Sequence, residues 1–333
     1  MKGLIPITTS LLLGAGLLST VHAAQVEVHD PVMARENGTY YVFSTGPGID
    51  IYASDNLKQW RHADRIFSGE PSDPPWATSV APAFDGHVWA PDIVEKNDRY
   101  YLYYSVSAFG KNTSGIGVTV NETLDPEAEN YQWQDQGLVL QSEPGQENWN
   151  AIDPAVIEDD NGTPWMSFGS FWGGLKLVQL DEDMTGLAQQ GEILDLATRP
   201  NSEENAIEAP FIFKRDGYYY LFASFGFCCR GADSTYRLVV GRSDSVQGPY
   251  VDRAGVSMME GGGTLVLEGT EDWPGLGHNA VYTFDDRDYM VFHAYEAADD
   301  GIQKLRILEV DWDNGWPVVD PGDLNANTTE LIE

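Results

Sequence analysis

The chain has 333 residues and a formal net charge of −33, from 52 acidic and 19 basic side chains. A surface this acidic repels other polyanions, so nucleic acid, anionic membrane and a polyanionic pectin backbone are excluded as partners. The charge itself indicates only a well-solvated acidic surface. It identifies no ligand.

The N-terminal segment has the pattern of a secretory signal peptide. Lys2 gives a positive start, Leu4–Leu18 is mostly apolar, and Val21-His22-Ala23 supplies the small residues read at cleavage. We expect cleavage after residue 23, export to the periplasm or the medium, and one catalytic domain over residues 24–333. An uncleaved anchor is the alternative for this segment.

The two cysteines, Cys228 and Cys229, are adjacent and cannot tie distant segments together. In an oxidising compartment they could form a strained ring, and otherwise they would stay a reduced pair. The sequence leaves both states open.

A repeat runs through the rest of the chain, in which a short polar motif leads to a charged turn and then an aromatic strand. Asn37-Gly38 and Asp216-Gly217 in these turns are typical of tight hairpins. The motifs recur every 55 to 70 residues, at His29-Asp30-Pro31, Trp89-Ala90-Pro91, Ile152-Asp153-Pro154, Ile207-Glu208-Ala209-Pro210 and Gly277-His278-Asn279. Five units of about four short strands each, with little helical periodicity, predict an all-β, five-bladed β-propeller with four-stranded blades around a central channel.

The first strand of every propeller blade lines the central channel, so residues at one phase of the repeat converge on the axis. Counting back from each aromatic strand gives one position per blade, occupied by Asp30, Ala90, Asp153, Glu208 and His278. An Asp-Pro pair alone is a common turn. Three carboxylates crowded at one channel mouth instead indicate a site that uses shifted pKa values.

Three carboxylates without a serine or cysteine nucleophile favour cleavage of a glycosidic bond. One carboxylic acid must protonate the leaving oxygen, and one carboxylate must activate water on the opposite side of the sugar. A third carboxylate can raise the pKa of the acid through its negative charge.

The sequence resembles the endo-acting α-1,5-L-arabinanases of glycoside hydrolase family 43 from about His29 to Val319. Besides the five motifs above, the resemblance is carried by Ser107-Ala108-Phe109-Gly110-Lys111-Asn112-Thr113-Ser114, Ser167-Phe168-Gly169-Ser170-Phe171-Trp172-Gly173-Gly174 and Cys228-Cys229-Arg230-Gly231. It implies an inverting enzyme that cuts linear arabinan or arabino-oligosaccharides internally. Asp30 would be its general base, Glu208 its general acid and Asp153 the residue that tunes and orients the acid. It also implies that His278 lies near a water-coordinated ion, usually calcium. No organic cofactor is expected, and the chain is expected to act as a monomer.

Sugar binding requires aromatic platforms and a few polar anchors. The candidate platforms are Trp89, Phe109, Trp172 and Phe227, and the candidate anchors are Asn150 and Ser170. Each aromatic could instead pack between blades.

Three rival functions stay open. An exo-acting α-L-arabinofuranosidase or β-xylosidase of the same fold often carries an additional β-sandwich, for which the sequence after the fifth blade leaves no residues. A retaining fructan hydrolase would pair Arg-Asp-Pro with Glu-Cys, where this chain has Ile152-Asp153-Pro154 and Glu208-Ala209. A lectin-like propeller would bind sugars without cleaving them. For an inverting enzyme, we expect the Asp30 and Glu208 carboxyl groups to lie roughly 6.5–9.5 Å apart.

Overall fold

The computed structural model describes residues 24–68 and 74–332. The predicted signal peptide, residues 1–23, lies outside the described residues. Within them, no helix has the length and apolar character needed to cross a bilayer.

The described chain forms five antiparallel blades whose strands follow one another in chain order. The first blade contains β1 (Val32–Glu36), β2 (Thr39–Ser44), β3 (Asp50–Ser54) and β4 (Gln59–Arg65). The second contains β5 (Trp89–Lys96), β6 (Arg99–Val106), β7 (Ser114–Asn121) and β8 (Gln134–Ser142). The third contains β9 (Ala155–Glu158), β10 (Pro164–Phe168), β11 (Leu175–Gln179) and β12 (Leu194–Ala197). The fourth contains β13 (Ile207–Arg215), β14 (Tyr218–Phe225), β15 (Arg237–Ser243) and β16 (Thr264–Glu268).

The fifth blade is a sheet of three strands, β17 (Leu276–Phe284), β18 (Arg287–Glu296) and β19 (Ile302–Glu309). A two-stranded hairpin follows, formed by β20 (Asp311–Asp313) and β21 (Trp316–Val318). The short helices are α1 (Ala77–Val80), α2 (Asp323–Ala326) and four 3₁₀ turns at Glu203–Asn205, Gly231–Asp233, Met258–Glu260 and Ala297–Asp299. The predicted all-β, five-bladed propeller is confirmed.

The two ends of the described chain join the fifth blade to the first. The Leu305 N–H in β19 donates to the Val26 carbonyl (2.9 Å), and the Val26 N–H donates to the Thr329 carbonyl (3.2 Å). The last strand, β22 (Glu330–Leu331), pairs in parallel with β4. Backbone hydrogen bonds therefore close the ring, which leaves fewer free strand edges.

Hairpin turns between the first two strands of the blades have the predicted geometry. Asn37 and Gly38 have φ values of 50° and 91°, and Asp216 and Gly217 have values of 50° and 82°. A two-residue turn with both central residues at positive φ matches the twist of the strands it joins. The aromatic strand that follows each turn is almost fully buried, as in β6 and β14, and supplies the core between neighbouring blades.

One residue at the start of each inner strand adopts a left-handed backbone conformation. These five residues are Asp30 (φ 49°), Ala90 (45°), Asp153 (57°), Ala209 (54°) and His278 (52°). The prediction that Glu208 shares this position was wrong by one residue, because Ala209 occupies it in the fourth blade. A count back from the aromatic strand cannot fix a one-residue register. The same shift in pairing occurs in the second, fourth and fifth blades, so the position is marked instead by the proline that follows it in the first four blades, Pro31, Pro91, Pro154 and Pro210.

Candidate active site

A ring of hydrogen bonds links the inner strands of the five blades. The backbone N–H of each left-handed residue donates to a side chain of the preceding blade. The pairs are Ala90 to Thr45 Oγ1 (2.8 Å), Asp153 to Ser105 Oγ (3.0 Å), Ala209 to Asp153 Oδ2 (3.1 Å), His278 to Ser224 Oγ (2.8 Å) and Asp30 to His293 Nδ1 (3.1 Å). Buried N–H groups without partners are costly, so these bonds fix how the blades meet at the channel.

Four of the five acceptors occupy one position of the repeat, near the end of the second strand and opposite the residue that precedes the left-handed one. They are Thr45, Ser105, Ser224 and His293. In the third blade this position is Gly169, which has no side chain to offer, and the Asp153 carboxylate accepts the Ala209 N–H instead. Sequence reasoning missed these residues, although a polar residue recurring after each aromatic strand could have revealed them.

Asp30 is buried among donors. Its Oδ2 accepts a hydrogen bond from the Thr45 hydroxyl (2.6 Å), and its Oδ1 lies 2.8 Å from His29 Nδ1 and 3.0 Å from His278 Nδ1. Burial alone would raise the pKa of Asp30, but the charges and hydrogen bonds of His29 and His278 hold it well below its usual range. Asp30 is therefore ionised at neutral pH.

Glu208 is 7% exposed and is held by two hydroxyl groups. The Ser170 hydroxyl donates to Oε2 and the Tyr236 hydroxyl donates to Oε1, both at 2.6 Å. Burial raises the pKa of Glu208, while these two bonds oppose that rise. Because a hydroxyl group can also accept a hydrogen bond, the same partners can accommodate protonated Glu208.

Asp153 and Glu208 lie on neighbouring inner strands and titrate together. Burial raises the pKa of Asp153, and the negative charge of Glu208 raises it further. Two buried carboxyl groups that interact this way lose their protons in two separate steps. The pair therefore retains a proton at a pH where isolated carboxyl groups would have lost it.

His278 is part of β17 in the fifth blade, and its side chain contacts Asp30. Burial would lower its pKa, but the charge of Asp30, the hydrogen bond to it and the charges of Asp153 and Glu208 together outweigh that effect and raise it to about 9. Because Nδ1 faces Asp30, Nε2 is the ring nitrogen left for a metal ion, and it can bind one only after the imidazolium has lost its proton. Calcium prefers oxygen ligands, so an ion here would take one protein nitrogen and otherwise water.

Hydrogen bonds through Tyr295 connect His29 to the paired cysteines. His29 Nε2 lies 2.9 Å from the Tyr295 hydroxyl, which accepts a hydrogen bond from the Cys229 N–H (2.7 Å). His29 also stacks on buried His293 with ring centroids 3.9 Å apart. Cys228 and Cys229 form a disulfide, which decides between the two states that the sequence left open.

The predicted aromatic platforms differ in exposure. Phe109 is 80% and Trp172 is 40% exposed, whereas Trp89 and Phe227 are partly buried. Asn205 Nδ2 donates to the Trp172 carbonyl (2.7 Å), which fixes the loop that carries this indole. Trp172 and Phe109 are therefore the two platforms with the most surface free to meet a ligand.

The two predicted polar anchors are already engaged within the protein. Asn150 is buried, and its side chain accepts a bond from Ser114 Oγ (2.6 Å) and donates to the Lys111 carbonyl (3.4 Å). The Ser170 hydroxyl is bonded to Glu208. Neither side chain points freely into solvent, and their sugar-binding role stays a prediction.

Propeller blades that present several buried carboxyl groups beside a histidine, with exposed aromatics nearby, define a class of carboxylate-based glycoside hydrolases. The model of glycosyl hydrolases family 43 matches residues 23–317. The chain belongs to this family.

Curated relatives of both cutting modes resemble the chain along most of its length. An extracellular exo-α-(1→5)-L-arabinofuranosidase of Cellvibrio japonicus is 55% identical over 93% of this chain and 91% of its own. An extracellular endo-α-(1→5)-L-arabinanase of Bacillus subtilis is 40% identical over 93% of this chain and 95% of its own. Among solved structures, the α-L-arabinanase of Cellvibrio cellulosa in complex with arabinohexaose matches with a TM-score of 0.89 and 54% identity, covering 93% of this chain and all of that one.

Proposed function

We propose that this protein is an exported glycoside hydrolase that cleaves α-1,5-linked L-arabinofuranosyl chains with inversion of configuration. Asp30 takes a proton from water as the water oxygen attacks the anomeric carbon. Glu208 gives its proton to the departing glycosidic oxygen as the carbon–oxygen bond breaks. Asp153 tunes the pKa of Glu208 and orients its side chain. The products are two uncharged sugar chains.

The main support for the proposal is that the pKa values of two buried carboxyl groups are shifted in opposite directions. His29 and His278 favour the charged form of Asp30, as a general base requires. Burial favours the protonated form of Glu208, as a general acid requires. Two carboxyl groups whose environments separate their pKa values are the usual arrangement for acid–base hydrolysis.

The substrate assignment is supported by two relatives, an exo-α-(1→5)-L-arabinofuranosidase at 55% identity and an endo-α-(1→5)-L-arabinanase at 40%. Trp172 and Phe109 would stack against the apolar faces of arabinofuranose rings, with smaller contributions from Trp89 and Phe227. Because the chain to be cut is uncharged, it is not repelled by the net charge of −33.

The cutting mode is the finer part of the proposal. Internal cutting is our first hypothesis and agrees with the Bacillus subtilis relative. Terminal cutting is the second candidate, favoured by the higher identity to the Cellvibrio japonicus exo-enzyme. The sizes of the first products distinguish the two, because an internal cutter releases a ladder of oligosaccharides and a terminal cutter releases one short product from the start.

A calcium ion in the channel is also part of the proposal. Neutral His278 would offer Nε2 to it, with water completing the shell, and the charge of the ion would then replace the positive charge of the histidine near Asp30. Export is supported by the signal-peptide pattern of residues 1–23 and by the word extracellular in the names of both relatives.

The test is a time course on linear debranched arabinan and on xylan, with and without a chelator, using wild type, Glu208→Ala and the exposed-site control Glu204→Ala. We expect wild type and Glu204→Ala to cut arabinan only, and Glu208→Ala to bind arabinohexaose without cutting it. Xylan cleavage would support a β-xylosidase instead. Binding without hydrolysis by wild type would support a lectin.

A further inference from the structure

A cavity beside the proposed active site is lined by two arginines. Its volume is about 170 Å³, and its lining includes Arg199, Ser202, Glu203, Phe227, Thr235 and Arg237. This volume is roughly that of five or six water molecules, which is enough for one sugar-sized group. Ala206, which also lines it, is two residues from Glu208, so the cavity lies next to the inner end of β13.

Both arginines lie beside Phe225. Arg199 stacks over the Phe225 ring at 4.2 Å and donates from Nη1 to the Ala206 carbonyl (2.7 Å). Arg237 is paired with Phe225 across the sheet. Among the residues that the structure describes, neither arginine has a carboxylate within ion-pair distance, although acidic side chains outnumber basic ones by 52 to 19.

The two arginines are close enough for the charge of Arg237 to affect the pKa of Arg199. Partial burial lowers the pKa of Arg199, and the charge of Arg237 lowers it further. Two like charges facing one cavity are stabilised when an anion binds between them. Arginine is the side chain best suited to hold a carboxylate, because its planar group can donate two parallel hydrogen bonds.

The other lining groups favour a sugar acid over a bare anion. Phe227 offers an aromatic edge beside the arginines, and its ring is held by Arg230 at 4.1 Å and by Phe171 at 5.7 Å. The Thr235 hydroxyl accepts a bond from the Phe227 N–H (3.1 Å) and keeps its own hydrogen to donate. An aromatic ring together with a hydroxyl donor is a common arrangement for binding sugar rings.

We propose that this cavity binds the carboxylate of a uronic acid residue. Arg199 and Arg237 would hold the carboxylate, while Phe227 and Thr235 would contact the sugar ring. The site goes beyond the proposed hydrolysis, because it would recognise an acidic sugar attached to or lying near the neutral chain being cut.

Two acidic side chains and the overall charge oppose anion binding. Glu203 lines the cavity, and Glu268 is the cross-strand partner of Arg237. At physiological salt, charges more than about 8 Å away are largely screened, so the local arginine pair governs a single uronate while the distant acidic surface does not. Glu203 therefore sets how tightly the anion is held, and removing its charge should strengthen binding.

The proposal is tested by calorimetric titration of the full chain with galacturonate in 150 mM salt, alongside galactose, acetate and sulfate. The variants are Arg237→Gln, Glu203→Gln and the control Arg253→Gln, an exposed arginine of the same blade. Cleavage of neutral arabinohexaose and the melting temperature show that each variant is folded.

We expect galacturonate alone to bind measurably, about tenfold more weakly in Arg237→Gln and severalfold more tightly in Glu203→Gln, as charge-assisted hydrogen bonds predict. Arg253→Gln should match wild type. Failure of galacturonate to bind, or unchanged binding in Arg237→Gln, overturns the site. Equal binding of acetate or sulfate overturns its assignment to a sugar acid. Because binding is measured directly, neither result depends on whether arabinan is cut.

Discussion

The Tyr236 hydroxyl donates a hydrogen bond to Oε1 of Glu208, with 2.6 Å between the two oxygens. Tyr236 directly precedes β15, the third strand of the same blade. This bond stabilises the charged form of Glu208 and lowers its pKa against the effect of burial. The acid therefore has a pKa set by a balance between desolvation and two hydroxyl donors. That balance can be changed one group at a time.

Replacing Tyr236 with Phe should raise the pKa of Glu208 and shift the alkaline limb of the pH profile of kcat/KM upward by about one unit, because a hydrogen bond to a charged group contributes roughly 1.5–3 kcal/mol. The measurement is kcat/KM on arabino-oligosaccharides from pH 4 to pH 10. Tyr250→Phe removes another buried hydroxyl of this blade, bonded to the Val246 carbonyl, and should leave the limb in place. An unchanged or lowered limb in Tyr236→Phe would contradict the assignment of Glu208 as the acid.

Thr45 holds the inner strands of two blades at once. Its hydroxyl donates to Asp30 Oδ2 (2.6 Å) and accepts the Ala90 N–H (2.8 Å). Thr45→Val removes both bonds at constant shape, and should lower kcat by about tenfold or more and stability by about 1–3 kcal/mol. Thr45→Ser keeps the hydroxyl and should restore both quantities to near wild type. Equal losses in the two variants would contradict this role, because Thr45→Ser keeps the hydroxyl and both of its hydrogen bonds.

Asn205 supports the loop that carries Trp172. Its Nδ2 donates to the Trp172 carbonyl (2.7 Å), and its Oδ1 accepts from the Thr198 hydroxyl (2.8 Å). Asn205→Asp keeps the acceptor but places a negative charge against the Trp172 carbonyl, so the loop should shift. We expect KM for arabinohexaose to rise about tenfold while kcat changes little, because this removes binding that the ground state and the transition state share. The control Asn201→Asp adds the same charge at an exposed position of the same loop. A change in kcat alone would contradict a role for Trp172 in holding the chain.

Asp92 predicts an unusual dependence of stability on pH. Its buried carboxylate accepts the Val156 N–H across the blade boundary (2.7 Å), and burial raises its pKa to about 7. A raised pKa means that the folded state favours protonated Asp92. This contribution to stability is complete below the unfolded pKa of about 4 and is lost as the pH rises towards 7.

Asn can accept the same backbone bond without ionising, so Asp92→Asn should be more stable relative to wild type at pH 8 than at pH 5, by a few kcal/mol. Thermal unfolding of both proteins at the two pH values gives this difference. A variant that loses as much stability at pH 8 as at pH 5, or more, would show that Asp92 is charged in the folded protein.

Much of the fold could be predicted from the sequence because the repeat consists of short local motifs whose structure depends little on the rest of the chain. Asn37-Gly38 and Asp216-Gly217 dictate tight hairpins whatever surrounds them, and the aromatic strands mark where the blades pack. The three-stranded fifth blade and its closure through Val26 could not be predicted, because they depend on contacts between the two ends of the chain.

The carboxylates could be found from the repeat, but their partners could not. Tyr236 reaches Glu208 from a loop with no repeat signature, and His29 acts on Asp30 only through the orientation of its ring. The register error at Glu208 has a different origin, because a count back from the aromatic strand is less exact than the proline that follows the left-handed residue, which is Pro210 in the fourth blade. Sequence patterns fix which strands meet, whereas side-chain geometry fixes which atoms meet.

In the proposed mechanism, Asp30 and Glu208 act on opposite sides of one glycosidic bond. Proton NMR of the first anomer released from α-1,5-linked arabino-oligosaccharides tests it most directly. An inverting reaction releases the β-anomer first, which then equilibrates with the α-anomer. Initial release of the α-anomer would mean retention through a covalent intermediate, and the roles given to the two carboxyl groups would be wrong.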